Sequence, residues 1–484
     1  MYSVLVLGAT GYIGGRLVQR LRAQGHGVRC LVRDLRKTAG RGWDGIDLVE
    51  GDVLKPDTLP AAFQGINAVF YLVHSMNAGE MEFEERDRTA ARHVAEACRR
   101  AGVSRIIYLG GLGRRGASQS PHLRSRHEVG DILRSSGVPV TEFRAAVVVG
   151  SGSTSFDMMH HLVNRLPVMV CPRWVLIRTQ PIGISDVLRY LAECVEKPET
   201  AGRILDIGGP ETLTYREMML CVAKVLGLRR WILPVPVLTP RLSSYWVNLV
   251  TPIPTSLARA LIESLRHETI CENSEVDSLF SFRPMTFEQA VRQALEKVRT
   301  HEVETNWTSA SQVQDSSRPD ASHLLTDQRT VVVEAPAERL FRQVSSIGGD
   351  RGRYYADWLW KLRGFLDQQI GGVGLRRGRR HPEELRAGDA LDFWRVDEYE
   401  PGRRLLLRAE MKVWGRAWLE FAVEDLGSGR SRLLQTATYY PRGLIGLLYW
   451  YGVYPLHAIV FSGLARSIAR RAEEENAVRD QRPG

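Results

Sequence analysis

The segment from residue 3 to residue 34 constrains the fold of this chain more than any other part of it. A short apolar run, Val4 to Leu7, leads into a turn with glycines at Gly8, Gly11 and Gly14. Apolar residues at helical spacing follow, and a second apolar run covers Val28 to Val32. This order predicts a strand, a tight turn, a helix and a parallel strand, with the turn placed to bind a phosphate group at the electropositive helix N-terminus. The alternative interpretation is a glycine-rich turn that only connects two elements.

The spacing GxxGxxG in GATGYIGG, after an apolar strand, resembles the short-chain dehydrogenase/reductase superfamily, particularly its extended and atypical members (epimerase-like and NmrA-like). In such turns the first glycine allows a sharp turn, the second allows backbone N–H groups to approach a pyrophosphate, and the third allows close helix packing. The resemblance covers about residues 1–300. It implies an NAD(P)-binding Rossmann domain and a nicotinamide dinucleotide cofactor.

Strand and helix patterns alternate through the first half of the chain, which is the signature of an α/β, doubly wound parallel sheet. After the opening unit, strand patterns occur in IDLVEGDV, AVFYLVHSM, SRIIYLGGLG, VPVTEFRAAVVVG and GRILDIGG, so seven strands are expected. The segments PIGISDVLRYLAECVEKP and IGGPETLTYREM resemble later parts of the extended members.

The resemblance implies that cofactor contacts fall in the glycine turn and in the residues after the third, fourth and sixth strands. Residues after the third and fourth strands would contact the adenosine half of the cofactor, and residues after the sixth strand would lie close to the nicotinamide. Two alternatives to cofactor contact remain open. Asp52 would only stabilise a turn, and the apolar residues of the set would only be buried in the sheet. The predicted residues are Gly8, Thr10, Gly11, Tyr12, Ile13, Gly14, Asp52, Val53, Leu72, Val73, His74, Arg144, Ala145, Ala146 and Val147.

The end of the second strand bears on the choice between the two nicotinamide cofactors. An acidic residue there serves the ribose hydroxyls of NAD, whereas the 2′-phosphate of NADP needs a cation. The strand ends in LVRD, with Arg33 first and Arg36 and Lys37 close behind. Arg33 would hold the phosphate through two parallel N–H bonds. The sequence therefore favours NADP(H), while the adjacent Asp34 keeps NAD(H) open and a solvated basic loop is the structural alternative.

The usual catalytic groups of the superfamily are missing. Active members use a tyrosine, a lysine four residues later, and a serine or threonine at the end of the fifth strand. Here the fifth strand ends at Gly110 and Gly111, and His122 and Arg126 occupy the spacing of the tyrosine and lysine. We predict His122 as the proton donor of a reduction and Arg126 as a group that holds ribose or phosphate. The opposing hypothesis is that this helix has lost catalysis and that the pair only packs.

The second half of the chain has a different organisation. Residues 228–300 depart from strict alternation and are predicted as a substrate-side cap. Residues 301–328 are polar and serine-rich, which predicts a linker. From residue 329 to 484 a strand, a helix over Ala337 to Val344, several alternating strands and a long final helix resemble the START-like (polyketide-cyclase-like) helix-grip fold. The resemblance implies an α+β domain of unknown function whose aromatic side chains line an apolar ligand cavity or fill its core.

The segment Leu444 to Phe461 is long and apolar, with Arg442 before it and Arg466 after it. A buried C-terminal helix is the favoured interpretation, and a membrane-surface contact or a membrane span are the alternatives.

Net charge and cysteine content limit the classes of binding partner and the cellular compartment that we expect. The net charge of +10 would suit an anionic cofactor, a phosphate-bearing ligand or a membrane surface. Nucleic acid is not expected, because no recognised nucleic-acid module accompanies the charge. Six scattered cysteines without a CxxC pair argue for a reducing cytoplasm and against a zinc site, and dispersed histidines predict no metal site. The opening residues lack a secretory signal pattern.

Three hypotheses about function follow. The first is an NADP(H)-dependent oxidoreductase that acts on a hydrophobic small molecule, of the enone or quinone type, which the C-terminal domain binds. Reduction of such a molecule demands less help from a general acid than reduction of a ketone. The second is a non-catalytic NAD(P)H-binding redox sensor or regulator, and the third a membrane-peripheral lipid or isoprenoid carrier built around the C-terminal half.

Overall fold

The computed structural model describes residues 1–74, 80–114, 116, 120–235, 267–273, 275–300, 303–305, 324–349, 355–369, 372–375, 379–381 and 384–480. The chain divides into two compact units. The first unit contains Met1–Thr38 and Gly42–Ser311, and the second contains Gln312–Gly484. Each unit is described separately below.

In the described part of the first unit, strands and helices alternate as expected. The strands are β1 (Ser3–Leu7), β2 (Gly27–Val32), β3 (Asp47–Glu50), β4 (Ala68–Tyr71), β5 (Arg105–Gly111), β6 (Val140–Ala145), β7 (Val148–Val149), β8 (Val168–Pro172), β9 (Arg178–Thr179), β10 (Ile182–Gly183), β11 (Ile204–Ile207), β12 (Leu213–Thr214) and β13 (Trp231–Val235). The α-helices are α1 (Tyr12–Ala23), α2 (Pro60–Phe63), α3 (Glu80–Arg100), α4 (Pro121–Arg134), α5 (Thr154–Arg165), α6 (Ile184–Glu193), α7 (Tyr215–Val225), α8 (Glu275–Leu279) and α9 (Phe287–Arg299).

Seven of the described strands form one sheet in the order β11-β6-β5-β4-β1-β2-β3, and every neighbouring pair is parallel. The predicted doubly wound sheet of seven strands is confirmed. The strand order reverses between β1 and β4, and in such sheets this reversal opens a crevice at the carboxyl ends of the strands.

Alternate residues of β1 enter two different cores. Val4 and Val6 pack into a cluster with α1 and α6, while Leu5 and Leu7 pack into a second cluster with residues of α3 and α4. A strand that is buried on both faces needs a continuous apolar run, which is why the opening segment is apolar without alternation. A third cluster joins α5, α7 and α9.

Small pairs of strands complete the first unit beside the main sheet. β7 pairs with β10, β9 with β12, and β8 with β13. Within the predicted cap, residues 236–266 lie outside the described residues, and β13, α8 and α9 are its described elements.

The second unit is an α+β structure. Its described strands are β14 (Leu325–Val333), β15 (Ala390–Leu391), β16 (Trp394–Glu400), β17 (Arg404–Ala409), β18 (Gly415–Gly427) and β19 (Arg430–Pro441), and its helices are α10 (Ala337–Ser345), α11 (Asp357–Gln369) and α12 (Gly443–Asp480). The strands form an antiparallel sheet in the order β14-β19-β18-β17-β16-β15.

The predicted helix over Ala337 to Val344 is present, and β14 begins at Leu325, within the stretch predicted as a linker. α12 packs against β14 and β19, and α10 packs against α12. Phe461, Leu464 and Ile468 of α12 join the apolar side chains of the sheet in one core.

The prediction of a buried C-terminal helix is wrong for the first part of α12. Leu444 is 70% exposed and Leu448 is 64% exposed, whereas Phe461 is buried. Pro455 lies inside the helix, where it removes a backbone hydrogen bond and favours a bend. Among the described residues no single helix has the length and apolar composition for a membrane span. The two parts of α12 meet both conditions only when taken together, and they are bent by 45°.

Candidate active site

The glycine turn lies where the strand order of the main sheet reverses. Gly8 has a φ of +81°, and a Cβ atom there would stand 2.6 Å from the carbonyl oxygen of Leu72. A Cβ atom on Gly14 would overlap the carbonyl oxygen of Gly8. Both positions therefore need glycine, because the turn, the end of β4 and the start of α1 approach one another through backbone atoms.

Helix α1 begins without a side-chain cap. Its N-cap, Gly11, has extended backbone geometry, no side chain accepts a hydrogen bond from the first turn, and the first turn contains no acidic residue. The first N–H groups of any α-helix have no partner within the helix. An uncapped N-terminus at the switch point of a doubly wound sheet is the arrangement that binds the diphosphate of a dinucleotide. The residues present therefore fit the predicted cofactor.

The structure places the predicted cofactor residues on one edge of the main sheet. They lie at or just after the carboxyl ends of β1, β2, β3, β4 and β6. Among them, Leu72, Val73 and His74 follow β4 and are half-buried. Arg144 and Ala145 end β6, and Ala146 and Val147 follow it.

The side chain of Tyr12 packs between Arg16 and Gly150. Its ring lies 4.4 Å from the guanidinium of Arg16, and a Cβ atom on Gly150 would stand 2.5 Å from its hydroxyl oxygen. The hydroxyl is buried and has no hydrogen-bond partner among the described residues. Burial raises the pKa of this phenol. Tyr12 therefore offers the turn its backbone N–H, while its side chain packs in the interior.

The two residues after β2 differ in their surroundings. Asp34 accepts hydrogen bonds from Nε and Nη2 of Arg36 at 2.9 and 3.0 Å. Burial opposes ionisation of Asp34, but these bonds prevail and hold its pKa below the usual range. Arg33 is exposed and has no hydrogen bond or ion pair within the described part of the chain. The carboxylate that would accept ribose hydroxyls is thus engaged by Arg36, while the guanidinium of Arg33 is available.

The two predicted residues after β3 have structural roles. Asp52 Oδ1 accepts the N–H of Leu54 at 3.0 Å, and the N–H of Asp52 donates to Thr58 Oγ1 at 3.0 Å. Val53 belongs to an apolar cluster, and His93 Nδ1 lies 2.9 Å from its carbonyl oxygen. The turn role that the sequence left open for Asp52 is therefore present.

A chain of hydrogen bonds joins His122 to a buried carboxylate through His74. His74 Nδ1 lies 2.8 Å from Asp87 Oδ2, and His74 Nε2 lies 3.2 Å from His122 Nδ1. The hydroxyl of Ser125 donates to the same oxygen of Asp87 at 3.2 Å. His74 follows β4, Asp87 lies on α3 and His122 lies in the first turn of α4, so three elements meet here. We call Asp87, His74 and His122 the histidine relay.

The sequence analysis identifies two members of this relay but assigns them different roles. His74 was predicted for the adenosine side of the cofactor and His122 for catalysis, whereas the structure joins them directly. Asp87 was missed. It lies in FEERDR, among other acidic and basic side chains of a helix, and its 2% exposed fraction is the property that distinguishes it.

The positions of the protons in the relay follow from its partners. The side chain of Asp87 is 3% exposed, and a buried carboxylate is stabilised by accepting hydrogen bonds. When Asp87 accepts the Nδ1 proton of His74, Nε2 of neutral His74 accepts the Nδ1 proton of His122. His122 Nε2 then carries a lone pair.

Burial lowers the pKa of His74, although the hydrogen bond with Asp87 opposes this effect. Burial, His74 and Arg126 hold the pKa of His122 well below its usual range. Tyr71 and Tyr108 are the other titratable groups nearby, and burial raises the pKa of each phenol. A proton that enters the relay is therefore stabilised on His74, beside Asp87.

The missing hydroxyl residue on β5 has a steric explanation. A Cβ atom on Gly111 would stand 2.9 Å from Leu123 Cδ2, and one on Gly110 would stand 3.2 Å from Glu142 Oε1. A serine or threonine at residue 111 would therefore require the Leu123 side chain of α4 to shift, and glycine there allows α4 to pack closely on the end of β5.

Arg126 and Arg144 are both engaged with the sheet. Arg126 Nη2 donates to the carbonyl oxygen of Leu109 at 2.7 Å, and its guanidinium lies 5.7 Å from the ring centre of Tyr108. Arg144 Nε donates to Glu142 Oε1 at 2.7 Å, and Glu142 is fully buried. Arg126 therefore adds positive charge beside His122, and Arg144 neutralises a buried carboxylate.

A cavity of about 750 Å³ lies beyond the end of β11. Asp206, Tyr190, Cys271 and Phe282 are among its lining residues. β11 is separated from β4 by β6 and β5, so strand spacing places this cavity on the order of 14 Å from the end of β4. In the described residues no group of three or more His, Cys, Asp or Glu side chains is arranged to hold a metal ion.

Two family models match parts of the chain. Residues 8–158 match a family described as NAD(P)H-binding, and residues 321–464 match a protein family of unknown function, DUF2867. The first match contains the glycine turn and the histidine relay, and the second lies within the second unit.

Characterised relatives also align with the first unit. Photosystem II assembly factor Ycf39 of Trieres chinensis is 24% identical over 242 residues, which are 50% of this chain and 75% of that protein. Divinyl chlorophyllide a 8-vinyl-reductase of Zea mays is 27% identical over 255 residues, 49% of this chain and 62% of that protein. The crystal structure of Citrobacter sp. triphenylmethane reductase complexed with NADP(H) has a TM-score of 0.50 at 19% identity, covering 60% of this chain and 100% of that chain. The last similarity shows the shared fold.

Proposed function

Because the first unit is an NAD(P)H-binding Rossmann domain of the atypical short-chain dehydrogenase/reductase type, we propose that it is an oxidoreductase for a hydrophobic small molecule of the enone or quinone type. The histidine relay is the observation that carries this proposal. It ends at the carboxyl edge of the sheet, on the same edge as the uncapped α1 turn. A bound nicotinamide cofactor would supply a hydride there, and the chain would supply the proton.

The relay can take up one proton and release it at a defined atom. When His122 Nε2 accepts a proton from water, its Nδ1 proton passes to His74 Nε2, and the resulting imidazolium lies against the carboxylate of Asp87. The reverse movement delivers the Nε2 proton to the atom of the substrate that becomes electron-rich during reduction. Proton and hydride together account for one two-electron reduction.

Backbone amides of the glycine turn would hold the diphosphate, and Arg33 the 2′-phosphate of NADP(H). An exposed guanidinium without a partner among the described residues supports the preference for NADP(H). The relatives named as reductases support the reaction class.

We further propose a helix-grip, START-like arrangement for the second unit, with a ligand site in its interior. Three buried polar atoms there, Trp360 Nε1, Gln435 Oε1 and His457 Nδ1, have no hydrogen-bond partner among the described residues. The rings of Trp360 and His457 both contact Phe461, and Gln435 donates to its carbonyl oxygen at 3.2 Å. Unpaired buried polar atoms around one side chain favour a ligand with a polar group and an apolar body. We also propose a cytoplasmic location, because none of the six cysteines, all of which are described, forms a disulfide bond.

A non-catalytic NAD(P)H-binding sensor or regulator is the second candidate. A glycine that packs against Leu123 stands at residue 111 in place of the usual hydroxyl residue, and relatives named as assembly factors also support this candidate.

Titration with NADPH, followed by a panel of enones and quinones, tests the proposal. The oxidoreductase oxidises NADPH with at least one of them, and His122→Ala lowers kcat about 10²- to 10³-fold without changing the Kd for NADPH. The control His26→Ala changes a histidine outside the relay, directly before β2 on the opposite edge of the sheet, and should match the parent protein in kcat. Tight NADPH binding with no turnover across the panel would support the sensor instead.

A further inference from the structure

The first part of α12 exposes one apolar face. Leu444, Leu448 and Tyr451 are 70%, 64% and 61% exposed. Their spacings of four and three residues place them on one side of a helix. No charged side chain occurs between residues 443 and 459 of this helix.

Helix α11 exposes a second apolar face. Trp358 is 66% exposed, and Leu362 and Phe365 are about half exposed, at 49% and 52%. Their spacing of four and three residues again selects one side of the helix. The other side contains Leu359 and Trp360, which pack against the core of the second unit. Apolar side chains therefore occupy both the core side and the outward side of this helix.

Direct contacts hold these two faces together. Arg363 Nη2 on α11 lies 3.2 Å from the hydroxyl of Tyr449 on α12. The ring of Trp414, in the loop between β17 and β18, lies 6.0 Å from the ring of Tyr449, and its carbonyl oxygen accepts the N–H of Arg442 at 2.9 Å. Trp414 is itself 53% exposed. We call the outward faces of α11 and of residues 443–457, with Trp414, the two-helix surface.

The size of this surface is unusual for a side facing water. Seven exposed large apolar side chains lie on it, at Trp358, Leu362, Phe365, Trp414, Leu444, Leu448 and Tyr451. At about half exposure, side chains of this size leave on the order of 800 Å² in total, against roughly 300–600 Å² for the largest patch of a typical monomer.

The exposed charges around the surface are basic. Lys361, Lys412, Arg416 and Arg442 are exposed, whereas the acidic residues of the described segments 357–369, 410–416 and 442–459 are half-buried (Asp357 and Glu410) or buried (Asp367). Asp367 is buried and accepts the N–H of Lys412 at 2.7 Å. Apolar and aromatic side chains bordered by basic groups complement the interface of an anionic bilayer.

We infer that the two-helix surface docks on an anionic lipid bilayer, with α11 and residues 443–457 of α12 lying in the interface. The rest of α12 remains in the protein core, because Val460, Phe461 and Leu464 are buried there. The 45° bend separates the docking part from the core part. A second copy of the chain fits the surface less well, because a two-fold interface would bring the basic groups of both copies together.

Vesicle flotation with the full chain, without cofactor, tests this inference. The protein floats with vesicles of phosphatidylcholine and phosphatidylglycerol and much less with phosphatidylcholine alone. The variant Leu362→Glu/Leu448→Glu lowers the partition coefficient at least tenfold. The matched control is Val332→Glu, at a 51% exposed position on β14, and it binds like the parent protein. The variant Lys361→Gln/Arg442→Gln lowers binding to the anionic vesicles by about fivefold for each charge removed.

Three results would overturn the inference. One is equal partition of the parent protein and of Leu362→Glu/Leu448→Glu into anionic vesicles. Another is a stable dimer in sedimentation velocity that this variant dissociates, which would assign the surface to self-association. The third is parent protein that stays with the vesicles in alkaline carbonate, which would indicate a membrane span. Unchanged circular dichroism melting curves of the variants establish that the fold is intact.

Discussion

The glycine turn and the histidine relay lie on the same edge of one sheet but are built in opposite ways. The turn uses backbone amides from residues 8 to 14, close together in sequence, and its side-chain requirement is the absence of Cβ atoms. The relay uses the side chains of Asp87, His74 and His122, which come from three different elements. Backbone sites tolerate change except at their glycines, whereas side-chain sites depend on every member.

The largest effect is expected from filling the turn. In Gly14→Val the new Cβ overlaps the carbonyl oxygen of Gly8, so α1 must move away from β1. We expect at least a 100-fold loss of NADPH affinity, measured by isothermal titration calorimetry, or loss of soluble protein. In the control Gly452→Ala, on α12, the added methyl group meets no atom within 4 Å. Parental NADPH affinity in Gly14→Val would show that the turn does not bind the cofactor.

The next largest effect is expected on kcat alone, from a change in the histidine relay that leaves the glycine turn intact. Asp87→Asn removes the charge that stabilises the imidazolium of His74, so we expect kcat to fall about 100-fold while the Kd for NADPH stays constant. Asp87 is a positioning residue, and its loss should also shift the pH profile of kcat toward acid. Asp57→Asn, at an exposed carboxylate, serves as the control. Equal losses of turnover and NADPH affinity would mean that Asp87 only supports the fold.

The pH dependence should also distinguish the regions. The pKa of His74 and of His122 is lowered by burial below the usual value of about 6.5, so above pH 7 only a small fraction of the relay carries the extra proton. Reduction needs that proton, and kcat should therefore fall up to tenfold for each pH unit between pH 7 and 8.5. NADPH affinity should change little over this range, because burial raises the pKa of Tyr12, the one titratable side chain of the turn, well above pH 8.5. A kcat that rises with pH would assign His122 the role of a base.

The sequence predicted the backbone site better than the side-chain site for a physical reason. Strands buried on both faces and glycines forced by close approach leave local patterns, so the seven-stranded sheet and its turn were predictable. The bond between His74 and His122 depends on how α4 packs at the end of β5, which no local pattern records. Likewise, apolar composition predicted a helix at Leu444 to Phe461 but did not distinguish its exposed first part from its buried second part.

The smallest expected effect is on the preference for NADPH over NADH, which the side chain of Arg33 would add to cofactor binding by the backbone of the turn. If Arg33 binds the 2′-phosphate, Arg33→Ala should weaken NADPH about tenfold and leave NADH nearly unchanged, because only NADPH carries that group. Arg36→Ala provides the contrasting variant, since it removes the two side-chain hydrogen bonds to the carboxylate of Asp34, keeps the one from the backbone N–H of residue 36, and should strengthen NADH binding. Fluorescence titration of both cofactors against both variants measures the two ratios. If Arg33→Ala weakens the binding of NADPH and NADH equally, Arg33 does not contact the 2′-phosphate. The choice between the two cofactors would then depend on the backbone of the turn.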